Sequence, residues 1–296
     1  MKKAYLIVAH KYPGQLHRLI DRLNDDRSHF FIHIDKKVDI SKFASLQTFH
    51  HVLTFINRHD GRWGKWGVIL PLLESLNYIK NSNIYFDRLI LLSGQDYPIK
   101  SNNEINNFLS SSPFSVFINF FPVPNFNKWP GADRGGLFRF DKYYIGNKRF
   151  ELLASKALNL SANFFPFLRR KIPNRMLPYA GSAWIILDMY ALNYILLFVD
   201  ANPEYFNYHR NTFVADEAFV HMIIGNSNDK ELISRTENIE KHFIIWPNKQ
   251  SAHPKILDNS DFDAIKLSGH LFARKFDEHI DSEILDLIDR NILDKN

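Results

Sequence analysis

Two pairs of adjacent charged residues in this chain could do chemistry: Asp216-Glu217 and Arg274-Lys275. The basic pair lies between Phe272 and Phe276, whose rings would anchor the segment in a core and leave both cations little freedom. A fixed cation about 4 Å from a phosphate charge is worth roughly 4 kcal/mol at an effective dielectric near 20. Such a pair could neutralise a departing diphosphate without a metal ion. Neighbours on a strand point to opposite faces, so the segment must twist or turn for both cations to reach one ligand. A further carboxylate, Asp96, follows the apolar run Leu89–Ser93 and Gly94-Gln95. It stands just past the carboxyl end of a strand, where open α/β sheets place their ligands. Capping the helix that starts near Ser101 is the alternative, and position alone leaves both open. Asp216 and Glu217 fall where an extended stretch turns helical, and a helix dipole by itself favours acidic residues there.

Metal chemistry has little support. The 13 histidines include no H-E-x-x-H, and His29 and His33, four apart in a predicted strand, would lie about 13 Å from each other. No cysteine is present, which removes disulfides and thiolate sites. Nucleotide-sugar enzymes of the GT-A type often hold a divalent ion with D-x-D after a central strand. Here that place reads Ser93-Gly94-Gln95-Asp96 and lacks the first Asp. Asp261-Phe262-Asp263 fits the pattern, but a turn or helix start is the simpler account. We expect no metal site.

These residues need a scaffold, and the first 100 residues describe one. Tyr5–Ala9, Phe30–Asp35, His51–Phe55 and Leu89–Ser93 read as strands; Gly14–Leu23 and Val68–Ile79 carry helical apolar stripes. This β–α alternation predicts a Rossmann-type, mostly parallel sheet with helices on both faces. The turn His10–Gly14 is neither G-x-G-x-x-G nor a P-loop, which demotes dinucleotide and ATP-hydrolysing readings. Ser101 with Glu104 forms a capping box. Ser115–Phe120 and Ala183–Leu187 read as further strands, and a final amphipathic helix carries Ile284, Leu287, Ile288 and Ile292. Residues 121–147, rich in Pro and Gly, preclude long elements and read as an ordered, ligand-facing loop. Phe164–Lys171 reads as a buried turn flanked by solvated cations, with contact to an anionic membrane surface kept open.

The 296 residues suit one α/β domain, with 1–120 as a nucleotide-binding half and 121–296 as an acceptor-binding and catalytic half. Residues 1–150 hold 21 Lys+Arg against 12 Asp+Glu, or +9; residues 151–296 hold 16 against 20, or −4. That asymmetry suits an anionic ligand held mainly by the first half. The N-terminal apolar run is too short for a signal peptide, and no run could span a membrane, so the expected location is cytoplasmic.

Six segments then occur in order: Tyr5–His10, His33–Lys37, Leu91–Ile99, Gly181–Trp184, Asp216-Glu217 and Phe272–Asp277. In series they resemble the core-2/I-branching β-1,6-N-acetylglucosaminyltransferases and the peptide O-xylosyltransferases. The resemblance implies a GT-A-like, metal-independent, inverting glycosyltransferase that moves a GlcNAc- or xylose-type sugar from a UDP-sugar, with no other cofactor. It implies Glu217 as the catalytic base, Asp35 at the nucleoside, His10 near the uracil, Asp96 on the donor side, and Arg274 with Lys275 at the diphosphate. Trp184 and Trp246 are candidates for stacking on sugar faces, and Arg134 and Arg139 for acceptor contacts. The vertebrate members carry an anchor, a stem and disulfides that this sequence lacks. That difference suggests a bacterial, cytoplasmic enzyme acting on a glycan or glycolipid acceptor, with peripheral contact with the inner membrane left open. The rival reading is a non-catalytic nucleotide- or nucleic-acid-binding module using the aromatics and cations of Arg58–Trp66. The acidic second half and the absence of a recognised motif oppose nucleic acid as a partner.

Overall fold

The structure is a computed structural model, and it describes residues 1–61, 69–82, 84–130, 133–146, 148–248, 251 and 253–294. Twelve strands occur among them: β1 (Lys3–Ala9), β2 (Ser28–Ile34), β3 (Leu53–Phe55), β4 (Arg88–Ser93), β5 (Asp96–Pro98), β6 (Val116–Phe117), β7 (Phe120–Pro122), β8 (Tyr179–Gly181), β9 (Ile186–Leu187), β10 (Thr236–Glu237), β11 (His242–Ile244) and β12 (Phe272–Arg274). The helices are α1 (Pro13–Leu23), α2 (Ile69–Asn81), α3 (Asn102–Ser111), α4 (Phe138–Asp141), α5 (Arg149–Phe164), α6 (Met189–Ala201), α7 (Pro203–His209), α8 (Phe219–Gly225), α9 (Lys230–Arg235), α10 (Phe262–Leu267) and α11 (Glu283–Ile288).

Seven strands form the central sheet in the order β10-β6-β9-β4-β1-β2-β3. Every pairing is parallel except the two made by β9, which runs against β4 and β6. The α/β, mostly parallel architecture expected from the sequence is therefore present. Alternation along each strand divides the core into two layers. Ala4, Leu6, Phe31, Leu89 and Leu91 pack with α2, α6 and α8. Tyr5, Ile7, Phe30, Ile32, Ile90 and Leu92 pack on the opposite face with α1, α3 and α11. The middles of the central strands, Ala4–Ala9, Phe30–Ile32 and Leu89–Leu92, are apolar because both faces are covered.

Beyond the carboxyl end of β4 the chain turns sharply. The Gly94 N–H donates to Val8 O at 3.0 Å, and a Cβ at Gly94 would stand 3.0 Å from that of Ala9. It then enters β5, which joins a second sheet in the order β11-β12-β5. There β12 runs antiparallel to β5, with Arg274 directly opposite Asp96. The peptide joining Arg274 to Lys275 is cis. Ser101 caps α3 through the expected box: its N–H donates to Glu104 Oε2 at 2.8 Å, and Glu104 N–H donates to Ser101 Oγ at 3.3 Å.

Three sequence expectations change. Only Ile186–Leu187 of the stretch 183–187 pairs as a strand. Asp216 and Glu217 lie in a 3-10 turn, Ala215–Glu217, and the backbone breaks at Ala218 before α8 begins. Phe164–Lys171 is not a buried turn: Phe164, Phe165 and Phe167 are exposed, and it is Arg170 that goes inside. No helix among the described residues is long and apolar enough to cross a membrane.

Candidate active site

Parallel strands bring the residues that follow β1, β2 and β4 to one edge of the sheet, and three predicted residues meet there. Asp35 follows β2 and is nearly buried. It accepts N–H bonds from Lys37 (2.8 Å) and Gly61 (3.1 Å), so its carboxylate fixes the segment that returns from β3. Arg58 reinforces this turn by donating to Ile34 O (3.1 Å) and Asp35 O (2.8 Å). The remainder of the predicted basic and aromatic stretch, 62–66, and Val68 of the predicted helical stripe lie outside the described residues. His10 is exposed at the end of β1. Its pKa is lowered, by lost hydration first and then by Lys11, with Asp35 opposing and Lys275 and Lys37 adding to the shift.

Asp96 takes a different place from the one expected. It is fully buried, and its two oxygens are engaged within the protein. Oδ1 accepts from Ser93 Oγ (2.7 Å) and Arg274 Nε (3.0 Å). Oδ2 accepts from Ser93 N (2.7 Å) and lies 3.5 Å from His242 Nε2. Burial alone would raise its pKa; the Arg274 charge, His242 and the Ser93 bonds outweigh that, and the net shift is downward. The direct donor contact assigned to Asp96 is thus replaced by a positioning role, because no face of the carboxylate is open to a ligand.

The residue it positions is Arg274. Its Nε is held by Asp96, and its guanidinium carbon lies 4.0 Å from the centroid of the Trp184 ring. The two terminal nitrogens make no hydrogen bond among the described residues. A guanidinium pinned through Nε and laid on an aromatic face keeps a two-pronged donor edge free, the geometry suited to phosphate oxygens. Lys275 is half-buried and makes no ion pair among the described residues. Its pKa is lowered by burial first and then by Lys11 and Arg274. Lys11 in turn lies 3.6 Å from Asp277. An anion arriving among Arg274, Lys275 and Lys11 would relieve their mutual repulsion.

Trp184 links this cationic edge to the carboxylates. With Val8, Leu91, Asp216 and His221 it lines a small cavity under the sheet end, while its own ring carries Arg274. Asp216 is half-buried, and burial first, then the charge of Glu217, push its pKa up to about 7. Glu217 is partly exposed and takes Arg139 Nη1 on Oε2 at 2.5 Å. Arg139 lies over the Trp129 ring at 4.4 Å. The predicted acceptor arginines therefore divide. Arg139 touches the expected base, whereas Arg134 makes a two-pronged pair with Asp141 at 2.6 and 2.9 Å and braces α4. Trp246 is half exposed, two residues past the end of β11. Since β11 runs parallel to β12 with Ile244 beside Arg274, it lies at the same end as Lys275.

Sequence reasoning missed Glu240. This half-buried carboxylate accepts Ser182 Oγ–H at 2.6 Å. Burial raises its pKa, against the pull of Ser182, His242 and Arg274. In the Asp261-Phe262-Asp263 segment Asp261 is engaged within the protein: Lys255 Nζ sits 2.7 Å from its Oδ2, which also accepts Asp258 N–H at 3.0 Å, while Asp263 is exposed. Among the described residues no cluster of three His, Asp or Glu is placed to hold a metal.

The sequence model of the family described as "Branch: Core-2/I-Branching enzyme" matches residues 3–266. The chain belongs to the Core-2/I-branching enzyme family. The family match covers the sheet and the Asp216-Glu217 turn and ends before Arg274-Lys275. Two relatives align over almost the whole of this chain. Beta-glucuronosyltransferase GlcAT14B of Arabidopsis thaliana is 25% identical over 302 residues, 98% of this chain and 66% of the relative. Xylosyltransferase 2 of Homo sapiens is 24% identical over 307 residues, 97% of this chain and 33% of the relative. This member of the family thus spans between a third and two thirds of those proteins' length. Among solved structures, mouse xyloside xylosyltransferase 1 in its apo form covers 92% of this chain, and the match takes in 97% of that one, at 10% identity and a TM-score of 0.38. A likeness that distant says nothing of the site.

Proposed function

We propose that this chain is a glycosyltransferase of GT-A type that moves a sugar from a UDP-sugar to a glycan hydroxyl with inversion and without a metal ion. The observation that carries the reading is the Asp96–Arg274–Trp184 stack, which delivers a pinned guanidinium to the sheet edge that also holds Lys275, Lys11 and His10. Trp184 lines one cavity with Asp216, the neighbour of Glu217. In the step proposed, the acceptor oxygen attacks C1 and its proton passes to Glu217. The bond from C1 to the phosphate oxygen breaks, and UDP departs with the electron pair. A positioned base contributes about 10²–10⁴-fold. Arg274 and Lys275 meet the charge that develops on the leaving group. Arg139 holds Glu217 in place, and Asp35 and His10 border the nucleoside.

The sequence resemblance favours a GlcNAc- or xylose-type sugar, and the relatives' names add glucuronic acid to the set worth testing. Release of UDP from UDP-GlcNAc, UDP-xylose and UDP-glucuronic acid, with and without chelator, tests the reading. One donor should turn over slowly by hydrolysis, chelator should leave the rate unchanged, and Glu217→Gln should abolish sugar transfer to acceptor while still binding UDP. Full transfer activity in Glu217→Gln would remove the proposed base, and strict dependence on added Mn²⁺ would remove the role given to the cations.

A further inference from the structure

Helix α5 is built inside out. At about 100° per residue, Phe150, Leu153, Ala157, Leu160 and Phe164 fall within an arc of about 80°, and all five are exposed. The opposite face meets the protein through small and polar groups. Ser155 Oγ accepts the Ile145 N–H at 2.9 Å, and Asn159 bonds both the N–H and the carbonyl of Tyr143 at 2.8 Å. Ala162 is buried there as well. The apolar stripe continues into Phe165 and Phe167, the latter 74% exposed. A soluble surface helix has the reverse arrangement, and exposed apolar area this continuous marks an interaction face.

Charge identifies the partner. Residues 148–175 hold seven Lys or Arg and one acid, Glu151, for +6, although residues 151–296 as a whole carry −4. Glu151 Oε2 accepts the Lys148 N–H at 2.7 Å at the helix start, and Arg170 is turned inward onto the Lys142 and Asn211 carbonyls at 2.9 and 2.8 Å. Lys148, Arg149, Lys156, Lys171 and Arg175 are exposed around the phenylalanines. A second copy would set this positive patch against itself across a two-fold axis. We propose that α5 and the turn after it dock the protein on an anionic lipid bilayer. The phenylalanines enter the acyl boundary, and the cations rest on the headgroups.

Co-sedimentation of the full chain with phosphatidylcholine vesicles, and with vesicles also containing phosphatidylglycerol, tests this. Binding should require phosphatidylglycerol and weaken with salt. Replacing Phe164, Phe165 and Phe167 together by Ser should cut it at least about 100-fold. Lys156→Ala and Lys171→Ala should each cost about fivefold. All five side chains are exposed, so unchanged thermal melting should accompany the loss. The proposal is overturned by failure to bind anionic vesicles, by undiminished binding of the triple variant, or by a wild-type dimer that becomes monomeric in it.

Discussion

Asp96→Asn separates the positioning role from ligand contact. The substitution keeps size and shape but turns one acceptor oxygen into an N–H donor. If the amide nitrogen takes the place of Oδ1, it faces Arg274 Nε at 3.0 Å; in the place of Oδ2 it faces the Ser93 N–H at 2.7 Å. In either orientation a donor meets a donor, and Arg274 loses the buried carboxylate that pairs with it. Breaking a buried pair by removing one partner costs about 3–5 kcal/mol. With an unfolding entropy of about 2.1 cal/mol/K per residue, about 0.6 kcal/mol/K for this chain of 296 residues, melting should fall by about 5–8 °C. Below the folded pKa of Asp96 the wild type loses the same pair. Because that pKa is depressed, the stabilisation is present above the unfolded carboxylate range and disappears as pH falls through the folded value. The deficit of the variant should therefore shrink in strong acid.

The assay is scanning calorimetry alongside UDP titration. UDP affinity should fall with melting temperature, since Arg274 is no longer held on Trp184. A variant that melts with the wild type but fails to bind UDP would refute the reasoning and return Asp96 to the ligand.

Three further outcomes follow from the geometry. Lys275→Ala should lower turnover by about 10²–10³-fold and weaken UDP binding, because it removes a preorganised cation from the leaving group; wild-type turnover would remove it from the site. Asp216 binds a proton more tightly folded, up to about 7, than its unfolded value near 3.9. Wild-type stability therefore falls as pH rises through that window, and Asp216→Asn should melt higher than wild type at pH 8 and equally at pH 4. A pH-independent difference would contradict the assignment. Gly181→Ala should destabilise by at least about 1–3 kcal/mol, since its Cβ would fall 1.8 Å from Asn119 O, a backbone atom across the β7–β8 pairing; an unchanged denaturation midpoint would mean that the pairing yields cheaply.

Much of the scaffold was legible because its signals are local. The Leu89–Ser93 run, the α1 stripe and the Ser101–Glu104 box each depend on neighbours within a few residues, and each lies within one or two residues of its expected place. The direction of β9 was not legible, since two residues carry no sign of which strand they will oppose. Phe164–Phe167 misled because apolar residues are usually inside; their exposure depends on small polar contacts made by the far side of α5. Glu240 gave no signal of its own. It joins the site through Ser182 and the charge on Arg274, neither of which is near it in sequence.

The pairing of Asp96 with Arg274 was beyond local reading for the same reason, since they stand 178 positions apart. Each was expected at the ligand because each is charged and stands beside a strand. In the folded chain β5 and β12 are antiparallel neighbours, and a charge on one is set against its opposite on the other. Taking both charges out of water is costly, so the pair is a poor way to stabilise a fold. What it provides is direction: one nitrogen of the guanidinium is fixed, its plane is laid on Trp184, and the remaining donors are left to face an anion. Lys275 has neither anchor, and burial first, then the charges of Lys11 and Arg274, lower its pKa against the pull of Asp277. In the proposed reaction the two adjacent cations therefore have different tasks, Arg274 setting the geometry of the anion site and Lys275 supplying charge that is most stable when an anion is there.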